Sequence, residues 1–123
     1  MDKPYQPLLG DTPIEADLED LLFKLKAQIR SIEKTLAHYR ENPIEDNPMP
    51  IQTRRYDRVP LGEYNRRRRE EKVQILKHRR RTAILWMDRL AWDLVEGRFR
   101  APGYKLPTLS VCLSLTPQEF FRR

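Results

Sequence analysis

The stretch from residue 12 to residue 43, TPIEADLEDLLFKLKAQIRSIEKTLAHYRENP, decides the fold of this chain. Apolar residues recur in it at alternating spacings of four and three, the heptad pattern of a helix with one apolar seam. The seam consists of Leu18, Leu22, Leu25, Ile29, Ile32, Leu36 and Tyr39. Thr12 and Glu15 have the spacing of a capping box, and Pro43 cannot continue a helix. We therefore predict a helix over residues 13–42.

A second apolar seam follows a linker that spans residues 43–60 and contains four prolines. This seam consists of Val73, Leu76, Ala83, Met87, Leu90 and Leu94. It predicts a helix over residues 61–96, and Gly97 is a suitable residue to end it. We expect the linker to reverse the chain, so that the two helices form an antiparallel, coiled-coil-like hairpin. The longer second helix is then expected to extend beyond its partner at the end that carries Arg66–Arg69.

The tail, residues 98–123, has a different pattern. Leucines and valine alternate with small polar residues, which predicts one β-strand over residues 108–115. Because no other strand is predicted, we expect this one to pair with a second copy or with another protein. Thr116 and Glu119 form another capping box and precede Phe120 and Phe121.

The predicted architecture is therefore mainly α. An extended segment covers residues 1–11, the hairpin domain covers residues 12–97, and the tail with its strand and a short terminal turn follows.

Charge is distributed unevenly along the chain, whose formal net charge is +6. Residues 1–50 contain six basic and ten acidic residues, whereas residues 51–123 contain eighteen and eight. Residues 54–81 alone contain twelve basic and four acidic side chains. Such an asymmetry favours an acidic partner or nucleic acid for the second half.

The candidate nucleic-acid contacts are the basic residues of this tract together with two tyrosines able to stack on unpaired bases. They are Arg54, Arg55, Arg58, Arg66, Arg67, Arg68, Arg69, Lys72, Lys77, Arg79, Arg80, Arg81, Tyr56 and Tyr64. We expect the cations to form one continuous stripe. Two alternatives stay open: a solvated helix surface, with Arg66–Glu70 and Arg67–Glu71 pairs cancelling part of the charge, and docking against an acidic protein.

The candidate protein contacts are apolar residues at the end of the second helix and in the tail. Leu85 and Trp92 lie opposite the seam, so the last three turns are apolar nearly all round and need cover on more than one face. The full set is Leu85, Trp86, Trp92, Leu109, Val111, Leu113, Leu115, Phe120 and Phe121.

No catalytic constellation is recognisable in the sequence. Its four glycines are scattered, no nucleophile or metalloprotease motif occurs, and Cys112 is the single cysteine. His38 and Glu41 have the spacing of two metal ligands on a helix, but the pair is not repeated. We expect no enzymatic activity, metal, cofactor, small-molecule substrate or membrane partner. The lack of a signal peptide pattern or a long apolar run predicts a soluble, cytoplasmic protein.

These observations lead to one functional hypothesis and one alternative. The hypothesis is a non-enzymatic, basic helical accessory protein that binds the backbone or shape of RNA or DNA within a larger nucleoprotein assembly. The alternative is a scaffold subunit of a multi-protein complex that contacts no nucleic acid. Both include a protein partner or self-association.

Overall fold

The computed structural model describes residues 13–52 and 58–122. The chain is mainly helical, as predicted, and two long helices pack on each other. In chain order the elements are α1 Pro13–Glu41, β1 Pro50–Gln52, β2 Arg58–Pro60, α2 Leu61–Glu96, a 3-10 turn Arg98–Arg100, α3 Leu109–Cys112 and α4 Pro117–Phe121. Residues 1–12 lie outside the described part, and with them the predicted extended segment and the predicted N-cap Thr12.

Contacts between α1 and α2 run in opposite order along the two helices. Near the end of α1, Arg69 donates a hydrogen bond to the Asn42 carbonyl. About two-thirds of the way along α1, Arg80 pairs with Glu33. As the residue number rises in α1 it falls in α2, so the two helices run antiparallel.

The core lies where the two long helices meet the tail. Its buried residues are Leu18, Leu21 and Leu25 of α1, Ala83, Trp86 and Leu90 of α2, and Phe99 and Cys112. Of the predicted α1 seam, Leu18, Leu25 and Ile32 are buried, and the other members are half-buried. Burial is deepest at the end of the helix pair that the tail covers, because three segments exclude water there and only two do so elsewhere.

The first turn of α2 is covered by the linker. Gly62 is buried, and its N–H donates to the Asn47 carbonyl at 3.0 Å. A Cβ at Gly62 would lie 2.6 Å from the Asn47 nitrogen, so only glycine permits this approach. Between this part of the linker and α2, the chain forms the antiparallel strand pair of β1 and β2, with Ile51 opposite Val59. The prediction of a projecting overhang is therefore corrected: α2 extends beyond α1, but linker residues 45–49 pack on its first turn.

Gly97 ends α2, as its position in the sequence predicts. It adopts the left-handed conformation, with φ 69°, and its N–H bonds to the carbonyls of Asp93 and Leu94. The chain then turns through the 3-10 segment and returns along the helix pair.

The predicted β-strand at 108–115 is wrong, because residues 109–112 form the short helix α3. Thr108 caps it by accepting a hydrogen bond from the Val111 N–H at 3.3 Å. A lone strand leaves its backbone groups without partners, whereas these turns bond them locally, as Leu115 N–H to the Val111 carbonyl at 2.8 Å shows. The apolar residues of α3 pack on α1 and α2.

The short helix α4 places two phenylalanines on α2. The predicted capping box is present: Thr116 accepts from the Glu119 N–H, and Glu119 accepts from the Thr116 N–H. These hydrogen bonds from Thr116 lower the pKa of Glu119. Phe120 and Phe121 then lie with ring centroids 5.4 and 5.7 Å from that of Trp86.

None of the helices within the described residues combines the length and the apolar character needed to cross a bilayer.

Candidate nucleic-acid interface

Most of the predicted basic tract lies on the first two-thirds of α2. Arg54, Arg55 and Tyr56 fall outside the described residues, and of Arg58 only the backbone, in β2, is described. The remaining cations lie between Arg66 and Arg81, a stretch of 16 residues that spans about 22 Å of helix.

Three arginines of the tract are paired with carboxylates of the same chain. Arg66 contacts Asp46 at 2.7 Å, Arg67 contacts Glu63 at 2.6 Å, and Arg80 contacts Glu33 at 2.8 Å. The predicted pairs with Glu70 and Glu71 are not the ones that form among the described residues. Asp46 is near because the linker folds back, which brings a carboxylate 20 positions away in sequence onto the arginine.

Two more arginines contact tyrosine rings. The Arg69 guanidinium carbon lies 4.5 Å from the centre of the Tyr39 ring. Arg68 donates to the Tyr64 hydroxyl at 3.1 Å, and this hydrogen bond raises the pKa of Arg68. Both arginines keep their full positive charge, because the neutral groups that they contact, a tyrosine ring, a hydroxyl and the Asn42 carbonyl, cancel none of it.

Four cations are left without a partner in the described part of the chain. They are Lys72, Lys77, Arg79 and Arg81, all exposed, and none of their side chains forms an ion pair or hydrogen bond with residues 13–52 or 58–122. Their charge is therefore available to an external anion. The tract is thus neither fully cancelled nor fully free.

The tract covers two faces of α2 and not one continuous stripe. Arg68, Lys72 and Arg79, spaced by four and seven residues, share the face that continues toward the tail, and Arg79 lies beside α3. Arg66 and Lys77, eleven apart, share a different face, next to α1. The prediction of a single stripe is therefore wrong in this detail, because a run of adjacent arginines distributes around a helix at about 100° per residue.

The second of these faces forms one wall of a groove between the two long helices. This α1/α2 groove has a volume of about 530 Å³ at the linker end, where apolar side chains of both helices and of the linker form its floor. It is lined by Leu36, Tyr39, Arg40, Pro43, Ile44, Arg66, Arg69, Glu70, Val73 and Lys77. The groove continues along the helices to Glu33 and Arg80.

Sequence reasoning missed Arg40 and Ile44 as groove residues. Arg40 lies in the acidic half of the chain, yet the antiparallel packing places it across from Lys77. The register of the two seams would have identified Arg40. In an antiparallel pair, the contact of Glu33 with Arg80 implies that Arg40, seven residues later in α1, lies close to Val73, seven residues earlier in α2.

Most predicted protein-contact residues are used inside the chain. Trp86 is fully buried and contacts the tail, and Leu109, Val111, Leu113 and Phe120 pack against the same core. Leu115 accepts the Trp86 indole hydrogen bond. This corrects the expectation that these residues need an outside partner. Leu85, Trp92 and Phe121 remain exposed, and Trp92 keeps 53% of its surface in solvent.

The other candidate chemical groups have structural surroundings. His38 is exposed, with its Nδ1 at 3.2 Å from the Asn42 amide. The described residues contain no group of three or more side chains able to hold a metal ion. Asp93 is fully buried, and it accepts hydrogen bonds from Tyr104 and Arg89. Comparison with known proteins finds no matching family model, no matching curated protein and no matching solved structure.

Proposed function

We propose that this chain is a non-enzymatic accessory protein that binds nucleic acid through the basic surface of α2. The observation that carries the proposal is the set of unpartnered cations: Lys72, Lys77, Arg79 and Arg81 are exposed, and no carboxylate of the described residues neutralises them. Phosphates are the common partners for such a density of arginine, because the planar guanidinium binds two oxygens at once.

In this proposal the antiparallel helices form a hairpin scaffold that holds the basic surface rigid. The cations stand on a continuous helix, with no Gly-rich loop or zinc site among them, so contacts go to the phosphate backbone and not to base edges. Backbone contacts of this kind position a protein in a nucleoprotein assembly without sequence preference. Tyr64, which accepts a hydrogen bond from Arg68, is an aromatic residue of α2 that lies next to the cations.

The proposal is tested by fluorescence polarisation with labelled single-stranded RNA and duplex DNA. Four phosphate contacts correspond to a loss of affinity of about a hundredfold between about 50 and 200 mM salt, through counterion release. Lys72→Glu with Arg79→Glu is expected to weaken binding at least about tenfold. Arg98→Glu with Lys105→Glu makes the same change in net charge on exposed tail residues and serves as the matched control. Absence of binding at about 50 mM salt would refute the proposal.

The alternative is a scaffold subunit that binds protein and no nucleic acid. One observation favours it: Trp92 and Val95 expose 53% and 79% of their surfaces on the same side of α2, three residues apart. Exposed aromatic residues of this kind are enriched in protein interfaces. Co-purification with and without nuclease treatment separates the two functions, since a partner held by the protein surface alone survives the nuclease.

A further inference from the structure

The floor of the α1/α2 groove is apolar and lies open. Leu36, Ile44 and Val73 are each half-buried, and nothing in the described part of the chain lies over them. They belong to α1, the linker and α2 respectively, so the folded chain brings them together. An apolar hollow bordered by charge is a common form of a ligand or peptide site.

The cations along the groove differ in how they are held. Arg66 is paired with Asp46 and Arg80 with Glu33, so both are locally neutralised. Arg40 and Lys77 face each other across the groove and form no ion pair within the described residues. The charges at the groove without an ion pair in the described residues are positive on the α1 wall, at Arg40, and net positive on the α2 wall, where Arg69 and Lys77 outnumber Glu70. The groove therefore complements carboxylates spaced across an apolar surface.

We propose that the α1/α2 groove binds an acidic amphipathic helix of a partner protein, whose aliphatic side chains contact Leu36, Ile44 and Val73 and whose carboxylates pair with Arg40 and Lys77. Docking of a helix into an apolar groove is an established mode of recognition. The groove follows α2 from Arg66 to Arg80, which is about 21 Å, or about four helical turns. A helix lying there would complete a three-helix arrangement at the end of the molecule that the tail leaves uncovered.

The chemistry of the floor favours a peptide over nucleic acid. Bases stack on flat aromatic or guanidinium surfaces, but the floor is formed by leucine, isoleucine, valine and proline. Among the described residues that line the groove, the one aromatic ring is Tyr39, and it already has Arg69 over it at 4.5 Å. Branched aliphatic side chains pack on such a floor with better complementarity than a planar base does. The groove lies on a different face of α2 from Lys72 and Arg79 and shares only Lys77 with the four free cations of the proposed nucleic-acid surface, so the inference goes beyond the proposed function.

The test uses the full chain and a labelled amphipathic peptide of about 16 residues, with leucines on one helical face and glutamates on the other. A peptide of the same composition with its leucines scattered is the first control. We expect binding of the amphipathic peptide, at least about tenfold weaker binding of the scattered one, and shifts in NMR signals of Leu36, Ile44 and Val73.

The matching protein variants locate the site. Arg40→Glu with Lys77→Glu is expected to weaken peptide binding at least about tenfold, whereas Arg98→Glu with Lys105→Glu changes it less than about twofold. Circular dichroism verifies that all variants are folded. Lack of peptide binding, or equal loss in both double variants, would overturn the inference.

A third arm separates this inference from the proposed function. The peptide is titrated without nucleic acid, so the result stands even where the chain binds no oligonucleotide. An equimolar single-stranded oligonucleotide is then added. Retention of the peptide is expected, and displacement would assign the groove to nucleic acid and refute the peptide site.

Discussion

The indole Nε1 of Trp86 donates a hydrogen bond to the backbone carbonyl of Leu115 at 2.6 Å, across 29 positions of sequence. Trp86 is fully buried, so this bond fixes the tail to the C-terminal third of α2. Replacing Trp86 with Phe keeps an aromatic ring but removes the donor, leaves the Leu115 carbonyl unpaired and opens space in the core. We expect a loss of about 2 kcal/mol in the free energy of unfolding, measured by urea denaturation.

The matched control for this change is Trp92→Phe. Trp92 lies on the same helix but is exposed, so its replacement is expected to change stability by less than about 0.5 kcal/mol. Equal effects at the two tryptophans would show that the tail does not dock on Trp86 in solution.

Sequence patterns determined the helices but not what covers them. The heptad spacing of α1 and α2 identifies their apolar faces, because a helix repeats every 3.6 residues whatever its neighbours are. In the tail, Leu109, Val111 and Leu113 alternate with polar residues. Over so few residues, this periodicity does not distinguish a β-strand from short helical turns. The absence of a partner strand and the N-cap residue Thr108 were the better signals.

The charged surface was predictable in composition but not in pairing. The tract on α2 was identified from its arginines, yet Arg66 pairs with Asp46 because the linker returns over Gly62. Contacts between segments far apart in sequence depend on the path of the chain, which no local pattern encodes. For the same reason, the position of Arg40 in the groove was not predicted, because it depends on the register of the two helices.

The close approach at Gly62 makes the second prediction. A methyl group there would lie 2.6 Å from the Asn47 nitrogen and 2.9 Å from the Glu45 carbonyl oxygen, both of them backbone atoms. Gly62→Ala is therefore expected to lower the free energy of unfolding by about 2 kcal/mol, despite the better helix propensity of alanine. Asn65→Ala, an exposed change in the same helix, is the control and is expected to be neutral or slightly stabilising. A stabilised Gly62→Ala protein would mean that the linker does not pack on α2.

The third prediction concerns the buried carboxylate of Asp93. Tyr104 donates a hydrogen bond to it at 2.8 Å, and Arg89 contacts its other oxygen at 3.3 Å. Burial, with this hydrogen bond, raises the pKa of Tyr104. Tyr104→Phe leaves a buried charge with one partner fewer, so we expect a loss of about 2 kcal/mol in stability.

Tyr64→Phe is the control for this change, since it removes a hydroxyl that bonds to the exposed Arg68. A loss of less than about 0.5 kcal/mol is expected there. Comparable losses in both variants would argue against a special role for the Asp93 site.

The fourth prediction is a loss of stability at alkaline pH that depends on Cys112. Burial raises the pKa of the Cys112 thiol from 9.0 to about 12. The unfolded chain therefore releases this proton above about pH 9 while the folded chain retains it, and stability falls as pH rises. At about pH 10 the contribution is about 1.4 kcal/mol.

Cys112→Ala lacks this ionisation. Between about pH 7 and pH 10, the free energy of unfolding of this variant is expected to fall by about 1.4 kcal/mol less than that of the parent chain. Urea titrations at each pH measure both values. Because only the change in unfolding free energy with pH is compared, the pH-independent loss of stability caused by the smaller side chain cancels. Identical pH dependence in the two proteins would show that the thiol is ionised as readily in the folded chain as in the unfolded one.

The fifth prediction follows from the difference between paired and free cations on α2. Each phosphate contact contributes about 0.9 to the slope of log affinity against log salt for duplex DNA. Lys72→Gln with Arg79→Gln removes two free charges and is expected to reduce that slope by about 1.8.

Arg67→Gln with Arg80→Gln removes two charges already paired with Glu63 and Glu33, so the slope is expected to change by less than half as much. Both variants lose the same formal charge, and polarisation titrations over a series of salt concentrations measure both slopes. Equal slopes would mean that net charge alone governs binding and that the ion pairs on α2 open when nucleic acid is bound.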